Sequence, residues 1–126
     1  MHPNAQKLTD FYEGFNRLDP KPMVALYAPD AEFSDPAFPH LKGPEIGAMW
    51  SMLCGRAKGF SLTFRDVTAT DTEGSAHWEA HYLFQGGRKV HNVIDAKFTF
   101  RDGLVTRHLD SFDFWRWSKM ALGLPG

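Results

Sequence analysis

Between Gln6 and Leu18 the apolar residues Leu8, Phe11, Tyr12, Phe15 and Leu18 recur at spacings of three and four. That period gathers side chains on one face of an amphipathic helix. Asp19-Pro20 predicts its end, and a second short helix is predicted from about Pro22 to Tyr27, presenting Met23, Leu26 and Tyr27. Pro29-Asp30 closes it before an extended run, Ala31 to Ser34. The segment Asp35-Pro36-Ala37-Phe38-Pro39 cannot continue a paired strand, because proline has no amide proton to donate, and it reads as a loop at a rim.

Gly43-Pro44-Glu45 predicts the start of a third helix, with proline at an early position where its missing donor costs nothing. Ile46, Met49, Trp50 and Leu53 form its apolar face. After Gly55 to Gly59 the period changes to two, through Phe60, Leu62, Phe64, then Trp78, Ala80, Tyr82, Phe84, then Ile94, Ala96, Phe98, Phe100, then Val105 to Phe114. Four strands are predicted, with turns at Asp71 to Gly74, Gln85 to Arg88 and Arg101-Asp102-Gly103. Helices followed by a long antiparallel meander define an α+β class. Trp115 to Leu122 is predicted as a short terminal helix, stopped by Gly123-Leu124-Pro125-Gly126.

A chain of 126 residues without repeat or linker is expected to form one domain, 1–126. Aromatic residues make up 14%, with 11 Phe and 4 Trp, more bulky surface than a minimal core needs, which points to a lined cavity or a subunit interface. Net charge is −1, from 14 basic and 15 acidic residues with no run of one sign, so attraction to phosphate backbones is missing and no nucleic-acid partner is expected. The one cysteine, Cys54, reads as a small buried hydrophobe. The opening MHPNAQKLTDFYEGF lacks the basic and apolar regions of a signal peptide, and no apolar run has the length of a membrane span. The expectation is a cytoplasmic protein with no membrane partner.

Two strings carry a family resemblance. ALYAPDAEFSDP, residues 25–36, is similar to the ketosteroid isomerase segment that ends in an Asp-Pro whose aspartate shuttles protons, which falls on Asp35. FTFRDGLVTRHLDSFD, residues 98–113, resembles the last hairpin of SnoaL-like polyketide cyclases and limonene epoxide hydrolases, where a pocket aspartate falls on Asp110. With the order of elements, these place the chain with the nuclear-transport-factor-2-like superfamily. The resemblance implies a cone-shaped curved antiparallel sheet wrapped around N-terminal helices, an α+β barrel enclosing an apolar pocket. The scaffold hosts isomerases, cyclases, dehydratases, hydrolases and non-catalytic binders, so the reaction has to be argued from the site.

Residues two apart on a strand share a face, which groups His108, Asp110 and Phe112, and the resemblance turns that face inward. Asp35, His108 and Asp110 are the candidate catalytic residues. An aspartate in an aromatic cavity is desolvated toward a usable base, and a neighbouring histidine holds the proton or pairs with the carboxylate. Asp35 before Pro36 is equally an ordinary turn-former. Phe11, Trp50, Trp78, Tyr82, Asn92, Phe98 and Phe112 are the candidate lining of a site for a small apolar or cyclic ligand.

Ketosteroid isomerases hold the developing enolate with a first-helix tyrosine and a strand aspartate. Here alignment through FYEGFN puts Phe11 at the tyrosine position, with Tyr12 pointing about 100° away around the helix. Asp95 is inside if Gly86-Gly87 is a two-residue turn and outside if the loop has three residues. The alternation of Phe98 and Phe100 favours outside, with Asn92 inward. His77, Glu79 and His81 share one strand face and form a set able to ligate zinc or iron, but parity sets them on the outer face if Trp78 and Tyr82 face in. No metal or cofactor is therefore expected, and a homodimer through the outer face is. The function this supports is cofactor-free isomerisation, cyclisation, dehydration or epoxide hydrolysis on an apolar cyclic substrate, with non-catalytic ligand binding as the alternative.

Overall fold

The computed structural model describes residues 1–123; of the predicted stop signal, Leu124, Pro125 and Gly126 lie outside the described residues. Helix α1 (Pro3–Asn16) is capped by His2, whose ring nitrogen accepts from the Asn4 N–H. It buries Leu8, Phe11, Tyr12 and Phe15, each stabilising the fold by about 1.5–3 kcal/mol. Helix α2 (Lys21–Val24) is shorter than predicted. Tyr27 is not helical; it heads strand β1 (Tyr27–Ser34), which starts before the expected Ala31. A register shift between Tyr27 and Glu32 interrupts the alternation there, and Leu26-Tyr27-Ala28 then suits a helix as well as a strand.

A two-residue strand that the sequence did not signal, β2 (Leu41–Lys42), pairs antiparallel with β1 ahead of α3 (Pro44–Arg56). The meander follows as β3 (Ser61–Ala69), β4 (Glu73–Phe84), β5 (Arg88–Arg101) and β6 (Leu104–Ser111). Asp102 and Gly103 turn β5 into β6 with φ of 51° and 78°, the left-handed pair that matches the twist of a tight hairpin. Helix α4 (Phe114–Leu122) takes Asp113 as N-cap and ends at Gly123, φ 67°. The last strand therefore stops at Ser111, and Phe112 stands in the connection to α4 instead of on the strand.

The six strands lie in the order β2-β1-β6-β5-β4-β3. The α+β class and the curved sheet are as expected; the sheet is unclosed and mixed, since β1 runs parallel to β6 while the other neighbours are antiparallel. Trp78, Phe98 and Phe100 join Leu8, Phe11 and Trp50 in one buried cluster on the concave side. Among the described residues no helix is long and apolar enough to cross a membrane.

Candidate functional site

Strand register lays out the concave face as rungs. Gly74, Phe98 and His108 are neighbours across β4, β5 and β6; next come Ala76, Ala96 and Asp110; then Trp78 beside Ile94, and Ala80 beside Asn92. The rung of Asp110 is completed by two alanines, Ala96 and Ala76. The three-residue turn Gln85–Gly87 sets this register, pairing Tyr82 with Val90 and His77 with Asp95. Asn92 is accordingly buried and the Asp95 side chain outside, as the Phe98 and Phe100 alternation suggested.

His108 and Asp110 are buried to 1% and 3% exposure, with His108 Nε2 2.7 Å from Asp110 Oδ1. On its other side His108 Nδ1 lies 2.7 Å from Tyr27 Oη, which also accepts from Trp50 Nε1 at 3.0 Å. Among the described residues the second Asp110 oxygen has no hydrogen-bond partner. Aromatic rings enclose the imidazole: Phe98 at 4.2 Å between centroids, Phe33 at 4.9 Å, Phe11 at 6.1 Å and Trp50 at 6.4 Å. Aromatic side chains thus surround His108 on several sides. Clefts indent the surface nearby. One of about 510 Å³ lies between the start of α1 and the β5–β6 turn, and one of about 200 Å³ reaches His108 between β1 and β6; neither is lined by Asp110.

Asp35 sits half-buried just past β1. Its Oδ1 accepts from the backbone N–H of Ala37, at 2.7 Å, and of Phe38, the hydrogen bonding of a turn-former. Burial nevertheless raises its pKa, against those two N–H groups, and the Asp110 charge raises it further while His108 opposes. Asp35 and the His108–Asp110 pair thus share one electrostatic neighbourhood. Tyr82, half-buried, accepts from Trp117 Nε1 at 2.7 Å; burial raises its phenol pKa, the Trp117 bond lowers it, and the Asp35 charge raises it. Phe112 is only partly buried, packed against the core from the β6–α4 connection.

Trp78 and Phe98 are buried, and two groups among these rings are orphaned: Tyr12 Oη and Trp78 Nε1 are buried without a hydrogen-bond partner. The Tyr12 pKa is held well above that of an ordinary phenol, by burial first, then by the charges of Asp110 and Tyr27. Its hydroxyl is a buried donor within reach of the Asp110 field. Phe11, at the position set against the isomerase tyrosine, packs edge-on against Tyr12, Tyr27 and Trp50.

Sequence reasoning missed Tyr27 and Trp117. Tyr27 was hidden by the break in strand alternation. For Trp117 a signal existed: tryptophans two apart on a helix point about 200° apart, so only one of Trp115 and Trp117 can face the sheet. Trp115 is 60% exposed.

On the convex face His77 Nδ1 lies 2.9 Å from Asp95 and Nε2 3.4 Å from Glu79, whose other oxygen is 2.8 Å from His91 Nε2. His91 and His77 hold the Glu79 carboxyl below its usual range. The His77, Glu79 and His81 trio shares this face but does not converge, since His81 instead stacks on His91 at 4.2 Å. Among the described residues no group of three or more His, Cys, Asp or Glu side chains is arranged to hold a metal ion.

The architecture is a small α+β scaffold built around a buried His–Asp pair. The chain belongs to the SnoaL-like domain family, whose model matches residues 8–108. Among solved structures it is similar to an LEH-like epoxide hydrolase from M. tuberculosis (18% identity, 96% of this chain and 90% of that one, TM-score 0.79). It is also similar to a putative polyketide cyclase from Xanthomonas campestris (23% identity, 94% and 96%, TM-score 0.77). A third is TerC co-crystallised with polyporic acid (19% identity, 95% and 98%, TM-score 0.80). No curated protein matches the sequence. At these identities the solved structures establish the fold alone.

Proposed function

We propose that this SnoaL-like domain carries out cofactor-free acid/base chemistry on an apolar cyclic substrate, with Asp110 as the proton acceptor. The observation that carries the reading is the buried His108–Asp110 pair, one carboxylate oxygen held by the imidazole and the other unpartnered beside Ala76 and Ala96. Asp110 would take a proton from a carbon next to a carbonyl, and the charge would move onto the substrate oxygen. Tyr12 Oη or Trp78 Nε1, buried donors without partners, would meet that oxygen. Return of the proton to a second carbon gives isomerisation; attack of the enolate carbon on a second carbonyl gives cyclisation. With water in place of carbon acid, the same carboxylate would activate attack on an epoxide. The solved structures named epoxide hydrolase and polyketide cyclase support this range of substrates by likeness of fold.

The test is a panel of polyketide fragments, steroids and terpene epoxides assayed for conversion by mass and optical spectra. For any compound turned over, Asp110→Asn is expected to lower kcat by about 100-fold or more while leaving the circular dichroism spectrum unchanged. Turnover undiminished in that variant would overturn the reading. The second reading, ligand binding without chemistry, is favoured by the engagement of both His108 nitrogens within the chain. It predicts saturable binding of a panel member with no product formed.

A further inference from the structure

Trp50, Tyr27, His108 and Asp110 stand in single file, and the chemistry of the first member fixes the direction of the others. An indole N–H only donates, so Tyr27 Oη accepts at 3.0 Å from Trp50. The phenol keeps its own proton, because burial, reinforced by the Asp110 charge, holds its pKa well above the ordinary value even though the Trp50 bond opposes them. That proton needs an acceptor, and among the described residues the only hydrogen-bond partner available to receive it is His108 Nδ1, at 2.7 Å.

With Nδ1 accepting, the imidazole proton resides on Nε2, 2.7 Å from Asp110 Oδ1. The other tautomer is doubly disfavoured. It would turn a lone pair toward the carboxylate and leave the Tyr27 proton buried without an acceptor. A doubly protonated ring would strand the Tyr27 proton as well. The other rings packed on the imidazole, Phe11 from α1, Phe33 from β1 and Phe98 from β5, carry no titratable group; of the titratable side chains nearby, Asp35 feels the His108 charge and Tyr12 the Asp110 charge.

We propose that Trp50 and Tyr27 are positioning residues that lock His108 as the neutral Nε2–H tautomer, so that it holds one oxygen of Asp110 and leaves the other free. The catalytic meaning of this arrangement rests on the reading of Asp110 as proton acceptor. The tautomer itself is a property of the chain.

Long-range proton–nitrogen correlation spectra of the uniformly 15N-labelled protein at neutral pH decide it. The expected result is a pyrrole-type Nε2 and a pyridine-type Nδ1 for His108. A pyrrole-type Nδ1, or two pyrrole-type nitrogens, would overturn the inference. In Tyr27→Phe, with Nδ1 unpartnered, the preference for Nε2–H is expected to weaken, seen as a mixed or pyrrole-type Nδ1 signal at the same pH. An unchanged signal in a folded variant would remove Tyr27 from the role; if the variant does not fold, the wild-type spectrum still decides the tautomer. Once a substrate is in hand, Tyr27→Phe should lower kcat about tenfold, with KM little changed. If the tautomer is found as stated but Asp110→Asn remains fully active, the functional reading fails and the tautomer lock stands.

Discussion

Two histidine–carboxylate clusters occupy opposite faces of one sheet, one residue out of step in register. Inside, His108 and Asp110 are 2.7 Å apart with side chains 1% and 3% exposed; outside, His91 and Glu79 are 2.8 Å apart at 36% and 30%. Bond length hardly separates them, but water does. On the convex face solvent competes for every donor and screens every charge, so such contacts contribute little. On the concave face the partners have no alternative, and removing one leaves a polar group stranded. The same residue types are therefore exchangeable surface on one side and a fixed chemical unit on the other, and strand parity alone decides which.

The widest gap between the faces should appear on deleting one histidine from each. His108→Phe keeps the ring volume but strands both Asp110 and the Tyr27 hydroxyl, and is expected to cost about 3–5 kcal/mol in urea unfolding. His77→Phe should shift the midpoint far less; equal losses would break the contrast. A smaller effect is expected at the rim. The folded-state pKa of Asp35 is raised above 3.8, so its contribution to stability is fully present below that pH and is lost as pH rises through the folded value. Wild type should lose stability relative to Asp35→Asn across that window, since the amide oxygen still accepts from Ala37 and Phe38. Parallel curves in pH-dependent unfolding would contradict this. The smallest effect is on the convex face. Glu79 is depressed below 4.5, so its contribution is present above that pH and lost as pH falls through the lower folded value. Glu79→Gln should differ from wild type above pH 4.5 and converge on it in acid, and a difference that grows in acid would reverse the assignment.

What was legible in the sequence follows from which signals are local. The three-and-four spacing of Leu8, Phe11, Tyr12 and Phe15 and the alternation through Phe98 and Phe100 are short-range patterns, and they placed α1, the meander and Asn92; strand parity grouped His108 with Asp110, and the family resemblance turned that face inward. The partners of that pair were not legible. Tyr27 sits where a register shift erases the period, and its role depends on a parallel pairing with β6 that neither segment encodes alone. β2 is too short to carry a pattern. Asp35 shows a further limit, because a turn-forming carboxylate and a rim carboxylate coupled to the interior leave the same Asp-Pro trace.

The parallel pairing of β1 with β6 also sets the timing of assembly. Tyr27 and His108, joined side chain to side chain, are 81 positions apart in the chain, and the strands between them contribute the ring of Phe98 and the alanines beside Asp110. During synthesis the first helices and β1 emerge long before β6 exists to receive them. A loop of that length must close before its contacts return any free energy, which slows folding. The buried proton network is thus among the last features a nascent chain completes, and a product stalled before β6 would carry the first three helices and most of the meander without the site.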